Sequence, residues 1–354
     1  MKYKIFIACI TLLALICGAA AFSTKDSEAI SIGVISPLTG DVAYWGESAR
    51  AGWNLAVKDL SSEGIKVNII AEDGGLDPAK ALSAAQKLVN IDGVKALYVE
   101  FNPASISVSS FLKDKEVVEI YDATPVSPLA LSGNFFKTYL NYKESCATAA
   151  EVLKERGFAR IGMLKMNLEH GDLCVKGVAS VFGDGVMVEP YNQGTTDFRT
   201  ALSKLAAAKA EVVFHSSFQP ETLISLEQMR TLGMKQQFVA LSETFTPDVA
   251  SDKKRLIEGA ITFGLPSVSP ELVARMSAGG AIVDENAAAL AYLHVMQLGR
   301  ALYSCDSDIT CVRDRLASSP AFPEAGFQGF FARVARFDTL LGEWSDGSFK
   351  EIVR

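Results

Sequence analysis

The sequence predicts an α/β protein built from two doubly wound parallel-sheet domains, and three observations predict it. Short runs rich in β-branched residues alternate with amphipathic helical stretches, the pattern of parallel strands covered by helices on both faces. The alternation runs twice, with a pause near residues 122–142. Of the 354 residues, roughly 330 remain after a hydrophobic leader, more than a single core usually encloses, so two domains are expected.

The first strands are read at 30–35 (ISIGVI), 66–71 (KVNIIA), 95–99 (KALYV) and 116–121 (EVVEIY). A second series follows at 160–165, 186–190, 211–215, 237–241 and 260–264. Between the first two strands, 46–60 places Ala49, Trp53, Ala56, Val57 and Leu60 on one helical stripe. Further helices are read at 78–90, 103–113, 143–156, 171–181, 196–209 and 220–232. Pro78 and Pro220 fall in first turns, where a missing N–H costs nothing. The tail differs: a helix at 284–303, a cysteine-bracketed loop, a short helix near 309–317, and a strand-rich end in which SDGS (345–348) reads as a hairpin turn.

Residues 1–21 read as a secretory signal peptide. Lys2 and Lys4 precede an apolar run ending at Cys17, and small residues follow up to Ala21, the natural cleavage position. A lipid-anchoring cut before Cys17 is disfavoured by the bulk of Ile16. The remaining chain carries 32 basic and 41 acidic side chains, a formal charge of −9, which argues against nucleic acid or anionic lipid as partner.

Four cysteines remain: Cys146, Cys174, Cys305 and Cys311. An even count in an oxidising compartment favours disulfides. Cys305 and Cys311 flank the turn-like DSDIT, which leaves Cys146 with Cys174. The spacing matches no zinc pattern, and no metal or cofactor is expected. No nucleophile elbow, phosphate loop, HExxH or dinucleotide fingerprint is present, so no catalytic residue is assigned and the chain is not expected to be an enzyme.

In a parallel α/β sheet, ligands bind beyond the carboxyl ends of the strands. The loops concerned are Pro37 to Gly46, Phe101 to Ser105, Asp122 to Ser127, Asn167 to Gly171, Ser216 to Gln219 and Ser242 to Phe245. Two domains facing each other would place all six on the walls of one cleft.

IGVISPLTGDVAYWGESARAGWNLAVKDL (32–60) resembles the start of the Leu/Ile/Val-binding family of periplasmic substrate-binding proteins. The family pattern is a strand and turn of the form IGxxxPxTG, an aromatic–glycine pair, then a helix. DPAKALSAAQKLV (77–89), PVSPLAL (125–131) and TTDFRTALSKL (195–205) match further along, in order. The resemblance implies the type I periplasmic-binding fold, two lobes joined by three crossovers. They would fall near 138–143, 264–268 and 337–342, dividing the chain into 30–140 plus 266–338 and 141–265 plus 339–354.

Carried over residue by residue, the family's pocket falls on Trp45, with Tyr44 beside it; on Asn102, Ala104 and Ser105, where NPAS replaces a run of serines; and on Ala123 and Thr124. In the second lobe it falls on His170, Phe218 and Glu243, the last at the position that receives an α-amino group in amino-acid binders. Each has a plainer reading. Trp45 can belong to the core, Glu243 can cap a following helix, Asn102 can be an N-cap, and His170 can be a solvated loop histidine or pair with Cys174 on a metal. Asp122 beside a carboxylate site has no ready account. His215 and His294 read as packing residues.

The resemblance therefore implies a periplasmic solute-binding protein of an ABC importer. It would act as a monomer that closes like a hinge on a small ligand, an aliphatic or branched-chain amino acid or a related amide or carboxylate, and delivers it to a membrane permease. The alternative is a sensing module of the same fold that feeds a receptor or two-component system.

Overall fold

The computed structural model describes residues 29–352 apart from 41, 219 and 246; the leader and Cys17 lie outside the described residues. Two seven-stranded sheets form. In the first, β1 (Ile30–Ser36), β2 (Val67–Asp73), β3 (Ala96–Glu100), β4 (Val118–Asp122) and β5 (Phe135–Thr138) are joined by β11 (Phe327–Phe331) and β12 (Val334–Phe337), in the order β11-β12-β5-β4-β3-β1-β2. In the second, β6 (Ile161–Met166), β7 (Val186–Tyr191), β8 (Val212–His215), β9 (Gln237–Leu241) and β10 (Ile261–Gly264) are joined by β13 (Leu340–Ser345) and β14 (Ser348–Glu351). Their order, β14-β13-β10-β9-β8-β6-β7, repeats the first. The chain passes between sheets after β5, after β10 and after β12. The sheets are mixed, because β11 runs antiparallel to β12, and β13 antiparallel to β10 and β14.

Helices cover both faces. Over one face of the first sheet lie α1 (Ala43–Ser62) and, much later in the chain, α11 (Glu285–Ser304). Ala49, Trp53 and Leu60 of α1 pack with Ala288, Tyr292 and Val295 of α11 on Ile32, Val34, Tyr98 and Ile120. The other face is covered by α2 (Pro78–Asn90) and α3 (Asn102–Leu112), with Ala81, Leu88, Val108 and Leu112 on Ile35, Leu97, Val99 and Tyr121. On the second sheet, α4 (Tyr142–Glu155) and α5 (Glu169–Phe182) bury Cys146, Leu153, Cys174 and Val178 against Ile161, Met163 and Phe214. The opposite face takes α6 (Arg199–Ala207) and α7 (Glu221–Thr231), through Leu202, Leu205, Leu226 and Met229. Cys146–Cys174 staples α4 to α5, and Cys305–Cys311 closes the loop after α11.

Three readings of the sequence need correction. Helix α1 begins at Ala43, so Tyr44 and Trp45 stand in its first turn rather than on the turn before it. The Ala43 and Trp45 N–H groups already bond the carbonyls of Gly40 and Val42. The expected pause at 122–142 contains β5, concealed because Lys137 interrupts its apolar run; the lysine is buried and donates to the carbonyls of Thr138, Tyr139 and Leu140. Pro220 stands immediately before α7 rather than inside its first turn. Between α7 and α11 lie α8 (Pro247–Asp252), α9 (Lys254–Ile257) and α10 (Pro270–Ser277); α10 was not anticipated from the sequence, although Ser269 caps it in the ordinary way, its hydroxyl accepting from Leu272 N–H.

Candidate functional site

Both sheets reverse their strand order between the first and third strands of their series, β1 and β3 in one and β6 and β8 in the other. Such a switch point opens a crevice at the carboxyl ends of the strands. At each crevice a glycine in the following helix decides the local geometry. A Cβ on Gly46 would stand 2.3 Å from the Pro37 carbonyl oxygen, and one on Gly171 would stand 2.2 Å from that of Met166. Only a residue without a side chain lets each helix start lie against the end of its strand. This is the physical content of the aromatic–glycine pair: Gly46 seats Trp45 over the end of β3, and Gly171 seats His170 beside the end of β6.

Trp45 donates its indole N–H to Glu100 Oε1 at 3.1 Å and meets Phe101 edge-on at 5.3 Å between ring centroids. It is half-buried, neither in the core nor free in water. Tyr44 is 43% exposed. Asn102 is the first residue of α3 rather than its N-cap; its side chain reaches across and accepts the Thr124 N–H at 2.8 Å. Ala104 is buried in the core beneath α3. The Ser105 hydroxyl turns back onto the Phe101 carbonyl at 2.7 Å, so neither residue presents a side chain outward. Ala123 and Thr124 are buried at the end of β4.

In the second half, His170 lies in the first turn of α5 and is 1% exposed, which removes the solvated-loop reading. Cys174 is in a disulfide and so is not a free thiolate for a shared metal. The His170 ring meets Tyr142 at 5.3 Å and Phe218 at 5.9 Å, and burial pushes its pKa down to about 4, leaving it neutral with Nε2 unpartnered. His215 is a satisfied core residue, bonded to the Tyr191 hydroxyl at 2.6 Å and the Ser225 hydroxyl at 2.7 Å. His294 packs on Tyr98. Glu243 accepts a hydrogen bond from the Tyr139 hydroxyl through Oε2, while Oε1 has no partner. Burial, reinforced by the nearby charges of Asp284 and Asp122, raises its pKa to about 8.

Sequence reasoning missed a second group of residues. Phe101 adopts φ 72 and ψ 149, and Tyr139 adopts φ 74. Both are aromatic residues in backbone conformations that glycine normally occupies, a strain of about 1–3 kcal/mol each that concentrates at functional sites. Both flank the crevice. Glu100 and Asp122 sit on paired positions at the ends of β3 and β4, 1% and 5% exposed. Burial raises the Glu100 pKa to about 7 and holds that of Asp122 well above the carboxylate range. Asp284, at the N-cap of α11, feels the same burial. An acid closing an otherwise apolar strand, as in ALYVE, was the available signal.

Contacts join the two halves. Glu169 at the start of α5 accepts the N–H groups of Val126 at 2.9 Å and Ser127 at 3.2 Å, and the Ser127 hydroxyl at 2.8 Å. The Tyr139–Glu243 bond links the first crossing to the loop after β9. The depressions on the outer side of α6 and between Glu227 and Leu256 are open and rimmed by charged side chains.

Two doubly wound sheets, three crossings and a polar, aromatic crevice where the carboxyl ends meet define a two-lobed solute-binding protein. The sequence profile of the periplasmic binding proteins matches residues 29–340, and the chain belongs to that family, whose members bind solutes and are not enzymes. It is similar to the Leu/Ile/Val-binding protein of Escherichia coli, 26% identical over 281 residues, 76% of this chain and 75% of the relative. A leucine-, isoleucine-, valine-, threonine- and alanine-binding protein of Pseudomonas aeruginosa is 25% identical over 76% of this chain and 74% of its own. Among solved structures, a leucine-binding protein from Thermotoga maritima superposes with a TM-score of 0.79 at 16% identity, covering 92% of this chain and 98% of its own. A solute-binding protein from R. palustris in complex with 4-hydroxybenzoate superposes with a TM-score of 0.78 at 19% identity, covering 92% of this chain and 96% of its own. The fold is therefore the type I periplasmic-binding fold, and no helix among the described residues is long and apolar enough to cross a membrane.

Proposed function

We propose that this chain is the extracytoplasmic solute-binding component of an ABC importer. It captures an amine-bearing small molecule between its two lobes by hinge closure and presents the closed form to a membrane permease. The lobes are 30–140 with 266–338 and 141–265 with 339–354, and the secretory leader at 1–21 takes the protein to the periplasm, where it works as a monomer. The observation that carries this reading is Glu243: a buried carboxyl with one oxygen free, tied by the other to Tyr139 at the first crossing between the sheets. A ligand amine at Oε1 would engage a group whose partner lies in the hinge. Trp45, Tyr44 and Phe218 would enclose the ligand's apolar part, while Asn102, Ala123, Thr124 and His170 complete the wall; Ala104 and Ser105 support it from behind, their side chains turned inward. Binding that adds contacts only in the closed form shifts the population toward it.

A thermal-shift screen of amino acids, amides, amines and organic acids tests this. A ligand at a hundredfold excess over its dissociation constant stabilises the native state by about 2.7 kcal/mol, a rise of several degrees. No shift with any compound class, together with no small molecule retained in native mass spectrometry, contradicts the proposal. Trp45→Ala is expected to weaken the best ligand of that screen by about 2 kcal/mol through lost apolar contact. Wild-type affinity in that variant would make Trp45 a support for Glu100 alone.

A further inference from the structure

The end of the first sheet is unusually acidic for a site that would hold an amino acid. Strand register places Glu100, Asp122 and Thr138 side by side on the face beneath α1 and α11, with Ser36 one step beyond the paired Ile35 and Val99. All four are buried. Among the described residues neither oxygen of Asp122 accepts a hydrogen bond of ordinary geometry, because the nearby Tyr98 hydroxyl donates to Glu100 Oε1 at 2.9 Å. Glu100 Oε1 also takes the Trp45 indole, whereas Oε2 has only the nearby Ser36 hydroxyl, short of ordinary geometry. Asp284 adds its charge to both, and Glu243 faces them from the second lobe.

A buried carboxyl with an unmet oxygen stays protonated unless a compensating cation reaches it. The internal candidate is Lys137, whose charge reaches Asp122 through space, but its ammonium donates to the Thr138, Tyr139 and Leu140 carbonyls at 3.1, 3.4 and 2.9 Å, and no direct ion pair with Asp122 forms among the described residues. On the facing wall, His170 Nε2 and the Tyr142 hydroxyl, each in a residue 1% exposed, are also unpartnered, and Tyr142 feels the Glu243 charge. Unmet polar groups thus line both sides of one crevice.

The amide donors that a ligand carboxylate would need are largely taken. The Thr124 N–H goes to Asn102 Oδ1, the Ser105 N–H goes to the Phe101 carbonyl, and Pro103 has none. A carboxylate there would also face Asp122 and Glu100. The aromatic groups Trp45, Phe101 and Tyr139, by contrast, suit a cation, whose charge is attracted to ring faces.

We propose that the ligand of this cleft is a small organic cation without a carboxylate, carrying amino or guanidino groups at two ends, one received by Glu100 and Asp122 and the other by Glu243. The proposal rests on the reading of the cleft as the ligand site. Free Glu100 and Glu243, with pKa values of about 7 and 8, bind protons near neutrality that an incoming cation displaces. Tyr98, Asp284 and Lys137 face the same acids from the neighbouring elements. Cation binding therefore releases protons and strengthens as pH rises through this range.

Calorimetry of the full protein with 1,4-diaminobutane and 4-aminobutylguanidine, alongside leucine and benzoate, tests it at pH 7.5 in two buffers of different ionisation enthalpy. At least one dication is expected to bind a hundredfold more tightly than leucine or benzoate, with net proton release, and Asp122→Asn is expected to lower that affinity tenfold or more. Should Asp122→Asn fail to fold, Glu100→Gln serves, since its amide oxygen can still accept from Tyr98 and Trp45. Tighter binding of leucine or benzoate, no binding of either dication, or an Asp122→Asn protein with undiminished cation affinity overturns the proposal. If leucine or benzoate binds tightly and compacts the protein in scattering, the solute-binding reading stands while the cationic ligand falls; binding of any compound without compaction counts against hinge closure instead.

Discussion

Glu243→Gln lowers affinity for the tightest amine-bearing ligand by about 1.5–3 kcal/mol, roughly ten- to a hundredfold or somewhat more, when measured by calorimetry near pH 7.5. The substitution is nearly isosteric, and the amide oxygen can keep the Tyr139 hydroxyl as donor, so the hinge-side bond survives. What is lost is the negative charge at Oε1, which has no partner among the described residues. Removing a charged acceptor from a buried ligand amine costs more than removing a neutral one, and that difference sets the range. The ligand-free variant should be no less stable than the parent above pH 8, because the parent must hold a buried charge there. Unchanged affinity would show that the amine is received elsewhere.

The ligand-free protein loses stability as pH rises from about 6.5 to about 8.5, the opposite of the usual effect of paired carboxylates. Glu100, Glu119 and Glu243 are raised by burial to about 7, 8 and 8, and Asp122 is raised well above its usual value. A carboxyl with a raised folded-state pKa contributes stability in full below the unfolded value, near 4.5, and loses it as pH climbs through the folded value. The histidines act in the other direction. His170, His215 and His294 are buried neutral, lowered by burial to about 4, 3 and 3, so their contribution is lost as pH falls below about 6.5. Between about 4.5 and 6.5 the three histidines offset three of the four acids, so stability falls more gently, by about 1.4 kcal/mol per pH unit. Above 6.5 the acids dominate, and stability falls by about 1.4 kcal/mol per pH unit for each proton they still retain; Lys137, lowered by burial to about 7, offsets part of this because the unfolded chain keeps its ammonium to higher pH. Thermal unfolding at constant ionic strength from pH 5.5 to 8.5 reads this directly. A melting temperature that is flat or rising across 6.5–8.5 would mean that these acids are solvated or paired. Saturation with a bound cation should flatten the fall, since it stabilises the ionised carboxyls.

The strand–helix alternation was legible because the central strands are short apolar runs buried on both faces, while the helices carry apolar stripes. Strand β1 and helix α2 fell within a residue or two of their sequence-based bounds. Strand β5 was not legible, since Lys137 reads as a loop residue until the three carbonyls that receive it are brought together by folding. The crevice followed the same division. Trp45, His170 and Glu243 could be placed by local pattern and resemblance, as each follows a strand end. Glu100 and Asp122 could not be recognised as a pair, because they lie on strands separated by a whole helix and become neighbours only through the β3–β4 register. The strain at Phe101 and Tyr139 was equally hidden, because nothing in an aromatic side chain announces a positive φ. Asn102 shows a further limit: its cap-like position suggested a local role, whereas its partner, Thr124, is supplied by the next strand's loop.

Closure on a ligand is the claim on which the account turns. In this structure Glu169 bridges to Val126 and Ser127 from the opposite sheet, and Tyr139 to Glu243, contacts that separation of the lobes would break. Small-angle X-ray scattering of the protein stripped of ligand, then saturated with the tightest compound of the thermal-shift screen, measures that separation. The account predicts a smaller radius of gyration in the saturated protein, reversed on dialysis. Superimposable scattering curves at full saturation would contradict it.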